Sequence, residues 1–346
     1  MKKTNRYTIS CILAAAMLLT ACGKSGSGSS SSSGTTTPGS GSAQNQQSEA
    51  WRTGLNVQTR AESDDRTGEV NTIFAAVLLD EDGRIARVTL DELESSISAD
   101  GSGSVTMPGE YRTKRQKGDE YPLAAVSSIQ KGWSEQVDFF GEYLTGMTAE
   151  QVSRLETDKD GYASEPDLLS GCTIKIEGYR DAVAAACKRA EAIGSAEGDT
   201  LSLGVEATSP AGGTLKATDD KDASAEIDIT AVVVTLDAAG RVTGALWDEA
   251  EPVLTVAADG MVDAPDEVLS KLEMGDDYGM RKASALGKEW YEHSEGFCDY
   301  LKGKTAEEIE AIPSDGSLAD LESLCTISIS DAQKALLKAL DMPRAS

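Results

Sequence analysis

Apolar positions fall into the same series twice along this chain. Residues 73–79 and 229–236 are rich in Ile, Val, Ala and Thr, the composition of a strand. A shorter strand signal precedes each run, at 54–57 and 201–205. Asp82-Gly83 and Ala239-Gly240 follow as tight turns, where glycine supplies the positive φ a hairpin needs, and return strands run over 84–90 and 241–247. After a polar loop, the pattern changes to helical spacing. Val126, Ile129, Trp133, Phe140 and Leu144 share one face, as do Ala283, Leu286, Trp290, Phe297 and Leu301. Gly146 and Gly303 end these helices as C′ glycines, and Thr148-x-x-Gln151 and Thr305-x-x-Glu308 open short helices as capping boxes. A short β run, 173–176 or 326–329, and a closing helix, 179–193 or 331–340, complete each series.

The two series keep one offset, 157 residues from Leu79 to Leu236, and need no gap from Leu79 to Glu150. Gly118, Tyr121 and Trp133 return as Gly275, Tyr278 and Trp290, and a four-residue insertion in the first copy precedes Asp167, Ser170, Cys172 and Thr173, which meet Asp320, Ser323, Cys325 and Thr326. The period is too long for a solenoid. The expected fold is therefore α+β: two tandem copies of a domain with a small antiparallel sheet packed against helices, over 49–196 and 197–346. Each copy is long enough to build its own core. The paired tryptophans sit on apolar helix stripes, so core packing is expected of them rather than stacking on a ligand.

The first residues carry an address. Lys2, Lys3 and Arg6 precede an apolar stretch, Ile12 to Leu19, too short to span a bilayer. Leu19-Thr20-Ala21-Cys22-Gly23 closes it and resembles the lipobox of bacterial lipoproteins. The resemblance implies removal of residues 1–21, acylation of Cys22, and anchoring at the extracytoplasmic face of the cell membrane. Two or three acyl chains make such anchoring stable. Residues 22–48, nearly all Ser, Gly and Thr after the cysteine, read as a flexible tether with a typical reach of ~28 Å.

Charge and composition narrow the function. The net charge is −26, becoming about −29 once the three signal cations leave. Nucleic acid is not an expected partner, because phosphate binding needs clustered Lys and Arg. The chain has one histidine, His293, standing where the other copy has Gln136, so a shared His-based triad, His metal site or His general base is not expected. No P-loop or CxxC pair occurs, and the acidic run 217–222 lacks the spacing of a calcium loop. Of six cysteines, Cys11 leaves with the signal and Cys22 is the lipidation site. Cys172, Cys187, Cys298 and Cys325 read as free buried thiols, with Cys172–Cys187 or Cys298–Cys325 bridges left open.

One segment suggests chemistry. Asp167-Leu168-Leu169-Ser170-Gly171-Cys172-Thr173-Ile174, followed by Asp181-Ala182-Val183, resembles the flavinylation segment of the FMN-binding domain family, and the hairpin Asp82 to Ile85 resembles the family's opening strands. The resemblance implies covalent FMN, joined as a phosphoester to Thr173 by a flavin transferase, with Ser170 and Gly171 as motif neighbours. It extends to Thr326 in the second copy, where Ser323-Leu324-Cys325-Thr326 lacks the glycine. Cys172 replaces the family's alanine, and Lys175 stands where a second hydroxyl is expected. Two functions follow. One is an electron carrier, passing electrons between redox partners at the outer face of the membrane. The other is a non-catalytic binding or interaction lipoprotein on degenerate flavin-domain scaffolds. An enzyme acting through its own side chains ranks below both.

Overall fold

The computed structural model describes residues 50–210 and 215–341. The signal segment, Cys22 and the whole tether lie outside the described residues. The first half opens with three long antiparallel strands, β1 (Arg52–Asp64), β2 (Thr67–Leu79) and β3 (Ile85–Ala99), and the short β4 (Val105–Thr106), in the order β1-β2-β3-β4. Short helices α1 (Lys114–Lys117) and α2 (Leu123–Val126) follow, then α3 (Trp133–Leu144), α4 (Ala149–Ser153), α5 (Pro166–Leu169) and α6 (Glu177–Arg189).

In the second half β5 (Thr200–Thr208), β7 (Asp228–Leu236) and β8 (Val242–Ala250) form one sheet. A second one joins β6 (Ala223–Glu226), β9 (Val253–Val256) and β10 (Val262–Asp263). The long β3 has its counterpart in β8 plus β9, parted at Glu251-Pro252; proline cannot donate to a ladder, so a continuous strand breaks there. The helices α7 (Lys271–Met274), α8 (Trp290–Leu301), α9 (Ala306–Glu310), α10 (Ala319–Glu322) and α11 (Ser330–Asp341) complete the α+β architecture.

Each half covers the outer face of its sheet with helices. In the first, Ala75, Val77 and Leu79 of β2 meet Trp133, Phe140 and Leu144 of α3 and Ala182, Val183 and Ala186 of α6. In the second, Val232, Val234 and Leu236 of β7 meet Phe297 and Leu301 of α8 and Ala335 and Leu336 of α11. The alternate residues, Val70, Phe74, Ala76 and Leu78, point the other way, into a core shared with Leu201, Leu203, Val205, Ile229, Ala231 and Val233 of the second half. The layers are helices, sheet, sheet, helices. Burial on both faces explains why 73–79 and 229–236 are almost continuously apolar, since alternation marks a strand with one wet face. The described parts of 49–196 and 197–346 each keep an outer core of their own and join through the inner one within a single compact unit.

Several expected elements are found. Gly83 and Gly240 have φ of 74° and 75° in the hairpin turns, where Asp80 and Asp237 accept the amides of Arg84 and Arg241. Both threonine capping boxes form. Gly146 and Gly303 have φ of 83° and 79° after α3 and α8. Arg84 and Arg241 each donate to the carbonyl of that glycine, at 2.8 and 2.6 Å.

Other expectations need correction. The long amphipathic helix starts only at Trp133, because Gln130 adopts a φ of 55° and Glu135 caps the amide of Gly132. Val126 belongs instead to α2 and is 80% exposed. Likewise Ala283 and Leu286 lie in turns before α8, whose N-terminus Glu292 caps at Glu289. The β runs 173–176 and 326–329 are not strands. Lys175 makes one bridge to Tyr162, and the amides of Thr173 and Thr326 pair with side chains rather than with a neighbouring strand. All four described cysteines are free and buried. Burial raises the Cys172 thiol to about 11 and the Cys187 thiol to about 12, so neither is a nucleophile at neutral pH.

Candidate functional site

The motif segment forms a turn between α5 and α6. Ser170 caps α5 and donates its hydroxyl to the carbonyl of Asp167 at 2.7 Å, so its side chain serves its own helix. Gly171 and Cys172 are buried, and Thr173, half-buried, faces α3. There Gln136 Oε1 accepts both the Thr173 amide, at 2.8 Å, and its hydroxyl, at 3.0 Å. The Gln136 amide nitrogen donates in turn to Ser127 Oγ at 3.0 Å and to the carbonyl of Lys131 at 2.9 Å. This fully buried glutamine is thus satisfied at both ends, as a buried polar group requires.

The second half repeats the clip with a different side chain. His293 Nδ1 accepts the Thr326 amide at 3.2 Å, and Nε2 lies 2.8 Å from Ser284 Oγ. Ser284 and His293 follow Ser127 and Gln136 at the 157-residue offset. Thr326 is exposed, whereas Thr173 is half-buried. The four candidate residues therefore occupy two loops: Ser170, Gly171 and Thr173 in one, and Thr326 in the other.

The missing glycine of the second copy has a packing explanation. A Cβ on Gly171 would lie 2.5 Å from the Phe139 ring. In the second half Gly296 replaces that phenylalanine, and there a Cβ would lie 2.5 Å from the Leu324 carbonyl oxygen. The small residue has moved from loop to helix. Glycine at 171 answers to Phe139, and Leu324 answers to Gly296.

The stretches of chain near this turn in sequence and on α3 carry both cations and apolar groups. The Lys131 ammonium sits 5.5 Å from the centre of the Phe139 ring, and exposed Lys175 sits 5.9 Å from that of Tyr162. Leu169 and Val126 are both exposed. Thr173 is half-buried and donates its hydroxyl to Gln136 Oε1, so a phosphate ester on that oxygen would replace this hydrogen bond. Among the described residues no group of His, Cys, Asp and Glu is placed to hold a metal ion.

A second constellation was not singled out from sequence. Buried Lys114 lies 2.6 Å from Glu92 and 2.8 Å from Glu94, 5.0 Å from the centre of the Tyr121 ring. Burial alone would lower the Lys114 pKa, but the two carboxylates outweigh it and hold the ammonium above its ordinary value. Lys271 repeats this, 2.6 Å from both Glu249 and Glu251 and 5.2 Å from the Tyr278 ring. The donor to the inner carboxylate differs between halves. Tyr179 of α6 supplies it to Glu92; Trp247 of β8 supplies it to Glu249 at 3.0 Å, with Ala332 at the tyrosine's place. Trp133 and Trp290, each 3% exposed, form part of the wall beside these lysines, so they are core residues. The recurrence of Asp-Glu-x-Glu at 91–94 and 248–251, with the lysine 22 residues after the first glutamate in each copy, is the sequence signal for this cluster.

No family model and no solved structure matches the chain. A chlorophenol reductase of Desulfitobacterium hafniense is 32% identical over 98 residues, which cover 24% of this chain and 30% of that protein. The chain thus spans under a third of the curated relative it resembles.

Proposed function

We propose that the protein is a cell-surface lipoprotein, anchored through Cys22, that carries FMN covalently on Thr173 and passes electrons between redox partners at the outer face of the membrane. The observation that carries this reading is the placement of the motif. Asp167 to Thr173 runs from α5 into the turn before α6, and its threonine is half-buried and held by Gln136. Bound flavin would supply the redox chemistry, and Thr173 would hold it through its phosphate. The short reductase match is compatible with a redox role and adds no more than that.

The test is intact-mass measurement after co-expression with a flavin transferase. One FMN-sized adduct is expected, lost in Thr173→Ala. Folding should barely change, because the Thr173 amide still reaches Gln136 and the lost hydroxyl hydrogen bond is worth about 1 kcal/mol. An adduct retained in Thr173→Ala moves the attachment elsewhere, with Thr326→Ala as the second variant to examine. The absence of any adduct sinks the carrier reading. For the anchor, Cys22→Ala should abolish palmitate labelling and leave the signal uncleaved.

A non-catalytic binding lipoprotein is the second reading, and one observation favours it. Phe139 accounts for Gly171, and the Thr173 hydroxyl turns inward to Gln136, as a purely structural clip would require.

A further inference from the structure

The two threonine loops are fastened by side chains that respond differently to protons. Gln136 presents a carbonyl oxygen to the Thr173 amide, and an amide does not titrate near neutrality. His293 presents a ring nitrogen to the Thr326 amide. Because that amide can only donate, Nδ1 must be bare, so the proton of the neutral ring sits on Nε2 and is donated to Ser284 Oγ. Ser284 Oγ is itself fixed in the turn by the amides of Leu286 and Lys288, both at 3.3 Å. A second proton on the ring has one place to go, Nδ1, where it meets the Thr326 N–H head-on.

We propose that His293 is a proton-operated latch on the loop carrying Thr326: neutral, it holds the loop; protonated, it releases it, while Gln136 keeps the Thr173 loop fastened throughout. The inference does not depend on whether either threonine carries FMN. Its consequence is a chain whose second loop alone opens on acidification.

The surroundings favour the holding state. The His293 ring is fully buried, and burial, with the Lys288 ammonium second, lowers its pKa below the ordinary histidine value. Lys288 belongs to the turn packed on the ring and donates to the Leu324 carbonyl, two residues from Thr326. Glu292, on the same helix, opposes the shift; it is partly occupied by Arg281 at 2.5 Å. Glu289, the N-cap of α8, is held by the amides of Met280 and Arg281. From the Thr326 loop the titratable neighbour is the Cys325 thiol, which burial raises, so it stays protonated here. Since the folded value lies below the unfolded one, the latch contributes above the unfolded pKa and is lost as pH falls through the folded one.

One histidine in the chain makes the test direct. Nitrogen–proton correlation spectra of the imidazole should show the Nε2–H tautomer at pH 8. On acidification the Thr326 amide protection factor, corrected for intrinsic exchange, should fall at least tenfold with the imidazole's own midpoint, while that of Thr173 stays level. His293→Gln should keep Thr326 protected across the range. An Nδ1–H tautomer at pH 8, or Thr326 protection that ignores the imidazole titration, overturns the proposal. Both readouts come from the unaltered protein, so a poorly folding variant leaves the test intact.

Discussion

Separated between residues 196 and 197, the two halves are expected not to fold as independent cooperative monomers. Each would expose the inner face of its sheet. The shared core takes eight buried residues from the first half, Phe74 and Leu78 among them, and fourteen from the second, including Leu203 and Val233. Burying one Val, Leu, Ile or Phe contributes about 1.5–3 kcal/mol, whereas a whole domain is stable by only about 5–15 kcal/mol. Even the smaller set exceeds what either outer core can spare. Each fragment alone should therefore self-associate or lack a sharp urea transition, and mixing the two should restore a one-to-one complex by sedimentation. In the intact chain, Phe74→Ala should cost about 3–5 kcal/mol and shift one common transition seen by probes in both halves. A monomeric fragment with cooperative unfolding would argue that the inner core is an interface between finished domains.

Much of this fold was legible because its local signals are strong. Turn glycines, capping boxes and the two apolar runs all appear where the residues place them, since each depends on neighbours within a few positions. What depends on distant partners was harder to read. The sequence pattern locates the β2 and β7 strands, but their lack of alternation is the trace of a second packed face, and only the opposing sheet gives it meaning. The outer part of β3, 91–98, is acidic and serine-rich with apolar residues only at Leu93 and Ile97, so it reads as loop until Lys114 is placed against Glu92 and Glu94. The helical pattern overreaches for the opposite reason. Val126 and Ile129 keep the spacing of α3, yet spacing carries no information about a left-handed residue such as Gln130. For the candidate site, the motif marks Thr173 but not what holds it. Gln136 and Ser127 lie on a helix and a preceding turn, and their one sequence trace is their return as His293 and Ser284.

Stability should also fall as the solution is made alkaline from mildly acidic pH, and two buried carboxyls set the sign. Asp91 and Asp248, 2% and 0% exposed, occupy the same place in each half. Asp91 Oδ1 accepts the amides of Glu92 and Arg115, and Asp248 Oδ1 those of Glu249 and Leu272, tying β3 to α1 and β8 to α7. Burial nevertheless dominates, raising Asp91 to about 6 and Asp248 to about 7. A carboxyl raised above its unfolded value near 4 binds its proton more tightly in the fold. Its contribution is complete below that unfolded value and is lost as pH rises through 6 to 7. Between pH 5.5 and 8 each group should remove on the order of 1–2 kcal/mol, visible as a lower urea midpoint at pH 8. Asp248 gives the sharper test, because its Oδ2 is buried without a hydrogen-bond partner among the described residues. Asp248→Asn keeps an acceptor for the two amides and exchanges an uncompensated charge for a neutral donor, the less costly group to leave unpaired. The variant should exceed the parent in stability at pH 8 and show a shallower pH dependence. If Asp248→Asn retains the parent's slope, the carboxyl is not the titrating group, and repulsion across this strongly acidic surface would have to account for the whole effect.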